Sequence, residues 1–246
     1  MSAARFLLMN RATTRAFQLL DRVAGEDTIG IAVANPGVCK TFALKAWRLR
    51  HKQVRHCAIE ADVLTSARPL LNCLVRALAI RGKTQSNMAT SKASICAALA
   101  RSPMMVMIDE ADLLTVRTFD VLRSIWDQVS EMRDTDGESG FPLALFGTPH
   151  LRAMLMREDL ERLRRRVSET VELPPMNQRE VELALGGKWP HLKVDEEGLA
   201  ELTELSRGSF GWLNKIVPIA EKLANKDGRV LTARIVRETA KYLLGL

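Results

Sequence analysis

The stretch Thr28 to Ala34, TIGIAVA, runs into Asn35-Pro36-Gly37 and then into helix formers from Lys40 to Arg50, and this junction constrains the fold more than any other part of the chain. A run of small and β-branched apolar residues without polar alternation fits a strand buried on both faces, as in a parallel sheet covered by helices. Asn, Pro and Gly end that strand. The alternation then continues. Strands are predicted at Val54 to Glu60, Met104 to Asp109, Pro142 to Phe146 and Val167 to Leu173, and helices at Arg68 to Ile80, Ala89 to Ala100 and Thr115 to Met132. Arg133 to Gly140 is a polar loop.

An amphipathic helix is predicted ahead of the first strand, from Asn10 to Val23, with Gly25 as its stop. Beyond Pro174-Pro175 the periodicity is helical, at Arg179 to Leu185, Glu196 to Leu205, Trp212 to Ala224 and Thr232 to Leu244, with no clear strand. The fold class is α/β: a parallel sheet flanked by helices, with a small C-terminal α-helical lid. The expected domains are an N-terminal helix at 1–24, an α/β domain at 25–174 and the helical domain at 175–246.

With 246 residues, 47% of them hydrophobic and 26% charged, the chain can bury a core, which excludes a disordered or fibrous protein. No apolar run is long enough for a membrane span or a signal peptide, so no membrane partner and a cytoplasmic location are expected. The net charge of +7 favours polyanionic partners. One Tyr, seven Phe and four Trp are too few for a single-strand stacking platform, and Trp47, Trp126, Trp189 and Trp212 read as packing residues. Cys39, Cys57, Cys73 and Cys96 lack disulfide or zinc spacing, and the four histidines form no nucleophile or metal pattern.

The candidate chemistry begins at Ala34-Asn35-Pro36-Gly37-Val38-Cys39-Lys40-Thr41, between a strand and a helix, where the pattern [A/G]-x-x-x-x-G-K-[S/T] forms a phosphate-binding loop. Backbone N–H groups at the helix N-terminus cradle the phosphates of ATP, Lys40 reaches the β- and γ-phosphates, and the Thr41 hydroxyl ligates Mg²⁺. Cys39 stands where the pattern has glycine, so its side chain is expected to obstruct the phosphates and impair hydrolysis. Its place beside Lys40 at a helix N-terminus also predicts the most reactive of the four thiols if it is exposed. Met104 to Glu110 is an apolar strand ending in two acids. Asp109 would join the Mg²⁺ shell and Glu110 would polarise the attacking water.

Together these segments resemble AAA+ ATPases, and within them the target-selection ATPases of the bacteriophage Mu transposition protein B and TniB type. The likeness rests on TIGIAVANPGVCKT, MVMIDEADLL, LALFGTPHL and LSRGSFGWLNKI. It implies an ATPase that assembles as an oligomer or helical filament on double-stranded DNA and hands target DNA to a transposase. The resemblance places Thr148 at the sensor 1 position and Arg166 at the arginine finger, with Arg162, Arg164 and Arg165 as alternatives. It places the sensor 2 pattern Gly-x-x-Arg on Gly208 to Gly211, where the arginine is missing and Lys215 or Arg207 could substitute. It also implies a basic DNA-facing stretch with Arg81, Lys83 and Lys92, contacting phosphates without reading bases. The helix-turn-helix domain that precedes the ATPase in Mu transposition protein B is not expected, since the loop begins at Ala34. Two readings stand: an ATP-dependent DNA-binding protein for transposition, or a nucleotide-inert adaptor that keeps the fold.

Overall fold

The computed structural model describes residues 10–80, 87–135, 139–224 and 230–244. Five strands, β1 (Ile29–Val33), β2 (His56–Glu60), β3 (Met105–Asp109), β4 (Leu143–Gly147) and β5 (Val167–Glu172), form one parallel sheet in the order β2-β3-β4-β1-β5. Every residue of β1, β3 and β4 is buried, whereas β5 alternates between half-buried and exposed, as its edge position requires. The register sets Val33 level with Gly147, and Glu60 level with Asp109. The P-loop pattern follows β1, and the acidic pair follows from β3, at the carboxyl ends of strands of one sheet.

Helices fill the connections: α1 (Arg11–Glu26), α2 (Lys40–Arg50), α3 (Ala67–Ala77), α4 (Met88–Arg101), α5 (Val116–Met132), α6 (Pro149–Leu155) and α7 (Glu161–Arg164). The last two lie outside the sequence expectation. Each is short, and α6 owes its start to Pro149 at its first turn and to Thr148, whose side chain accepts from the His150 N–H. C-terminal to β5 come α8 (Gln178–Lys188), α9 (Glu196–Ser206), α10 (Phe210–Ala224) and α11 (Ala233–Leu244). They include a correction: Lys193–Val194 (β6) pairs in parallel with Val230–Leu231 (β7). Two-residue strands are too short to show a period of two, so only tertiary pairing reveals them.

The chain forms two compact units. One, residues 16–33 and 44–172, holds the five-stranded sheet and a core in which Phe119, Trp126, Phe141, Ile108 and Leu145 are sealed from solvent. Trp126 satisfies its only polar atom there, donating from Nε1 to the Phe141 carbonyl at 3.1 Å. The other contains 10–15, 34–43 and the described residues from Leu173 onward, with its own core around Val181, Leu202, Leu213 and Val217. Among the described residues no helix is long and apolar enough to cross a membrane.

Candidate functional site

The loop after β1 turns at Asn35, whose carbonyl accepts from the Val38 N–H at 3.3 Å, and Cys39 accepts from Ala43 in the opening turn of α2. Gly37 has φ +82° and Cys39 φ +46°. The backbone therefore takes the left-handed form where the P-loop pattern has glycine, and cysteine adopts it at a cost of about 1–2 kcal/mol. Asn35, Pro36 and Gly37 are exposed, Val38 and Lys40 are buried, and Lys40 Nζ donates to the Ala34 carbonyl at 3.0 Å, bridging the loop. Thr41, half-buried, follows it into α2.

Cys39 corrects the sequence reading twice. Its side chain packs against the apolar core of the helical unit, within 3.9 Å of Asn10 Nδ2, instead of standing over the exposed part of the loop. Its thiol is not activated either. Burial pushes the Cys39 pKa up to about 11, against a weaker lowering by the Asn10 hydrogen bond, and burial does the same to Cys57 and Cys96. Desolvation of the thiolate is the largest cause of this shift, and the Glu180 charge adds to it.

Pro36 and Gly37 line a cleft of about 150 Å³ together with Ser209, Gly211, Trp212 and Lys215. The approach is close: a Cβ on Gly37 would lie 2.1 Å from Ser209 Oγ, so only glycine satisfies both the space and the positive φ. Ser209 Oγ accepts from the Trp212 N–H at 3.2 Å at the start of α10. Of the two substitutes for the missing sensor 2 arginine, Lys215 lines this cleft, its Nζ 5.0 Å from the Trp212 ring centroid. Arg207 instead ends α9 with φ +50°.

The sequence reading missed Asn10, Arg11 and Glu180. The Arg11 backbone N–H donates to Glu180 Oε1 at 2.8 Å and its guanidinium to Oε2 at 3.1–3.2 Å. Asn177 N–H donates to the same carboxylate at 2.9 Å in a capping box for α8. Asn177-x-x-Glu180 is legible in the sequence as a cap. The partnership with Arg11 is not, because it spans 169 positions. Burial raises the Glu180 pKa, but the Arg11 N–H, its guanidinium and the Asn177 N–H outweigh this and hold it below its ordinary value of 4.5. A depressed carboxyl pKa adds stability above the unfolded pKa and loses it as pH falls through the folded one. Glu180→Gln is therefore expected to cost about 1 kcal/mol at pH 7. Thermal unfolding of both proteins from pH 7 to 3 should show the difference shrinking below about pH 4; equal stability at pH 7 would reject the network's importance.

In the sheet unit, Asp109 is buried at the end of β3 and its Oδ1 accepts from the Glu110 N–H at 3.0 Å. Glu110 has φ +53° and leads into a short 3₁₀ turn, Ala111–Leu113. Asp112 in that turn, absent from the sequence expectation, accepts from the Thr148 N–H at 3.0 Å and from its hydroxyl at 2.7 Å. The sensor 1 candidate is thus fixed by the acidic segment, and a Cβ on the adjoining Gly147 would come within 2.6 Å of Asp112 Oδ1. Arg166 Nε donates to Asp127 Oδ1 at 3.0 Å, with the guanidinium 6.0 Å from the Trp126 ring centroid. Asp127 also holds Arg123 at 2.7 Å, and Arg165 pairs with Glu161 at 2.6 Å. Lys92 is half-buried on α4, its Nζ 2.5 Å from Ser124 Oγ, while Arg81 and Lys83 lie outside the described residues.

Among the described residues no group of three His, Cys, Asp or Glu could hold a metal by itself. Mg²⁺ suits such a chain all the same, since it is usually held by one or two protein oxygens plus substrate phosphates.

A family model described as AAA domain matches residues 23–155. Among solved structures, Cdc6p from Pyrobaculum aerophilum matches with a TM-score of 0.67 at 16% identity, over 96% of this chain and 67% of that one. The Aeropyrum pernix ORC1 protein, solved in complex with DNA, matches with a TM-score of 0.62 at 13% identity, over 98% and 69%. The Aeropyrum pernix ORC2 protein, solved as ADPNP–ADP complexes, matches with 0.60 at 17%, over 93% and 66%. At these identities the likeness is one of fold, and this chain spans about two thirds of each of those chains. No curated protein matches.

Proposed function

The chain belongs to the AAA domain family, and from that premise we propose that it is an ATP-dependent protein that binds duplex DNA without sequence preference and delivers target DNA for transposition. The observation that carries the nucleotide part is the loop after β1. It takes the left-handed turn at Cys39, packs the thiol against the helical core and keeps Lys40 bridged to Ala34. The backbone N–H groups and the Lys40 ammonium would hold the phosphates. Thr41 and Asp109 would hold Mg²⁺, which when bound neutralises phosphate charge. Glu110 would orient the attacking water, and Thr148, steadied by Asp112, would face the reacting phosphate.

Arg166 would act on the nucleotide of a neighbouring subunit, exchanging its pair with Asp127 for that contact, so turnover per chain should rise with protein concentration. The DNA part is supported by the +7 charge, by Arg81 and Lys83, and by a structural neighbour solved with DNA. Target selection and a transposase partner rest on the four resembling segments alone. The absent arginine at Gly211 favours a second reading, a nucleotide-inert adaptor that keeps the fold; a nucleotide titration with and without Mg²⁺ separates the two.

Duplex binding tests the proposal. Affinity should fall steeply with salt, by about 0.9 log units per log unit of salt for each phosphate neutralised. Arg81→Ala with Lys83→Ala should reduce that slope for all sequences alike, while Lys92→Ala, at a side chain engaged with Ser124, should leave it nearly unchanged. Salt-independent binding, or none at low salt, would reject the DNA role.

A further inference from the structure

The loop between β2 and α3 presents two large apolar side chains to solvent, Val63 at 83% and Leu64 at 78% exposure. It is a built turn. Asp62 Oδ1 accepts from the Leu64 N–H at 2.9 Å and from the Thr65 hydroxyl at 2.7 Å, and the Thr65 oxygen accepts from the Asp62 N–H at 3.0 Å. The Thr65 hydroxyl and the Leu64 N–H also hold the Asp62 pKa below its ordinary range, so its carboxylate stays charged beside the apolar pair. Exposed Glu60 adds a second negative charge at the base of this tip.

On the other side of the same unit lies a cleft of about 240 Å³, with Ile31, Val33 and Leu155 among its apolar lining and Met156, Arg152 and Arg164 around them. Glu172 is its one acidic lining residue among the described residues. Arg164 donates to the Leu155 carbonyl at 3.4 Å and lies 3.7 Å from Met156 Sδ. Neither Arg152 nor Arg164 has an ion-pair partner among the described residues. The tip is apolar and acidic, the cleft apolar and basic.

These features belong to opposite edges of the sheet, since the tip follows β2 and the cleft opens at β1 and β5. Four inter-strand steps of about 4.8 Å put roughly 19 Å between the edge strands, so a short, hydrogen-bonded turn cannot reach its own chain's cleft. We infer that the Val63–Leu64 tip of one copy seats in the arginine-flanked cleft of a second copy. Asp62 then faces Arg152 and Arg164. Such a contact is head-to-tail: a pair so joined keeps one tip and one cleft unused, so it propagates into a ring or a filament. The inference rests on the self-assembly proposed above and names its contact. Neither turnover nor DNA enters it.

Sedimentation velocity on the full chain, with and without ATP-Mg²⁺ and a duplex, tests it. The unaltered protein should form species larger than a dimer. Val63→Ser/Leu64→Ser and Arg152→Glu/Arg164→Glu should each weaken association by about tenfold to a hundredfold with little change in thermal unfolding; Leu64→Ser alone serves if a double variant unfolds. An equimolar mixture of the two variants retains one complete interface per pair, so it should form dimers and stop there. Normal assembly by either variant, or a mixture that stays monomeric, overturns the contact. So does a tip variant that assembles normally but loses duplex binding, which would give the tip to DNA. An unaltered protein that is monomeric in every condition would remove the proposed assembly along with the contact. Assembly without nucleotide or DNA binding would instead sink the functional reading and leave the contact standing.

Discussion

Gly37→Val is expected to abolish nucleotide binding and to destabilise the helical unit by about 3 kcal/mol or more. A β-branched residue at φ +82° carries about 1–2 kcal/mol of left-handed strain, and overlap with Ser209 Oγ at 2.1 Å adds about 1–3 kcal/mol as α10 or the loop is displaced. The same displacement moves the backbone N–H groups that would hold phosphate. Gly25→Ala is the matched control, because nothing lies within 4 Å of a Cβ there and the residue sits in α1, where alanine favours the helix. Calorimetry and a nucleotide titration on both variants give the comparison. If Gly37→Val unfolds like the unaltered chain, the close approach of Gly37 to Ser209 is wrong.

Lys40→Met should weaken nucleotide binding about tenfold to a hundredfold, while Cys39→Gly should leave it within a few-fold. The Lys40 ammonium has three protons and gives one to Ala34, and a charge-assisted hydrogen bond to phosphate contributes about 1.5–3 kcal/mol. Methionine keeps the buried stem and removes only the charge. At Cys39, glycine relieves left-handed strain but loses the thiol's packing and gains unfolded-state freedom, so stability should move by no more than about 1 kcal/mol. The half-buried thiol packs against the helical core, so removing it is expected to open no new path to the phosphates. Isothermal titration with ATP-Mg²⁺ reads both variants. A large gain for Cys39→Gly would mean that the side chain does obstruct the site, as its sequence position suggests.

The sheet was legible because burial on both faces leaves a local mark. TIGIAVA, MVMID and LALFG carry no alternation, and β1, β3 and β4 are the three strands buried throughout. The α10 helix was legible despite Pro218 at its middle, since its apolar period outlasts one lost hydrogen bond. The candidate loop and the acids Asp109 and Glu110 were legible because their chemistry needs residues adjacent in sequence.

What the sequence hid lies where partners are distant or where one side chain has two uses. Nothing local announces that Arg11 meets Glu180 or that Asp112 holds Thr148, because hydrogen bonds over 169 and 36 positions follow from chain packing and leave no period. The fate of Cys39 was decided the same way. A helix N-terminus beside a lysine argues for a thiolate, and only the tertiary structure, by burying the sulfur against the helical core, decides that desolvation wins. By itself the sequence determined the alternation of strands and helices and which residues follow each strand. The tertiary structure alone decided what those residues touch, because burial and long-range contact belong to the packed chain and not to any window of it.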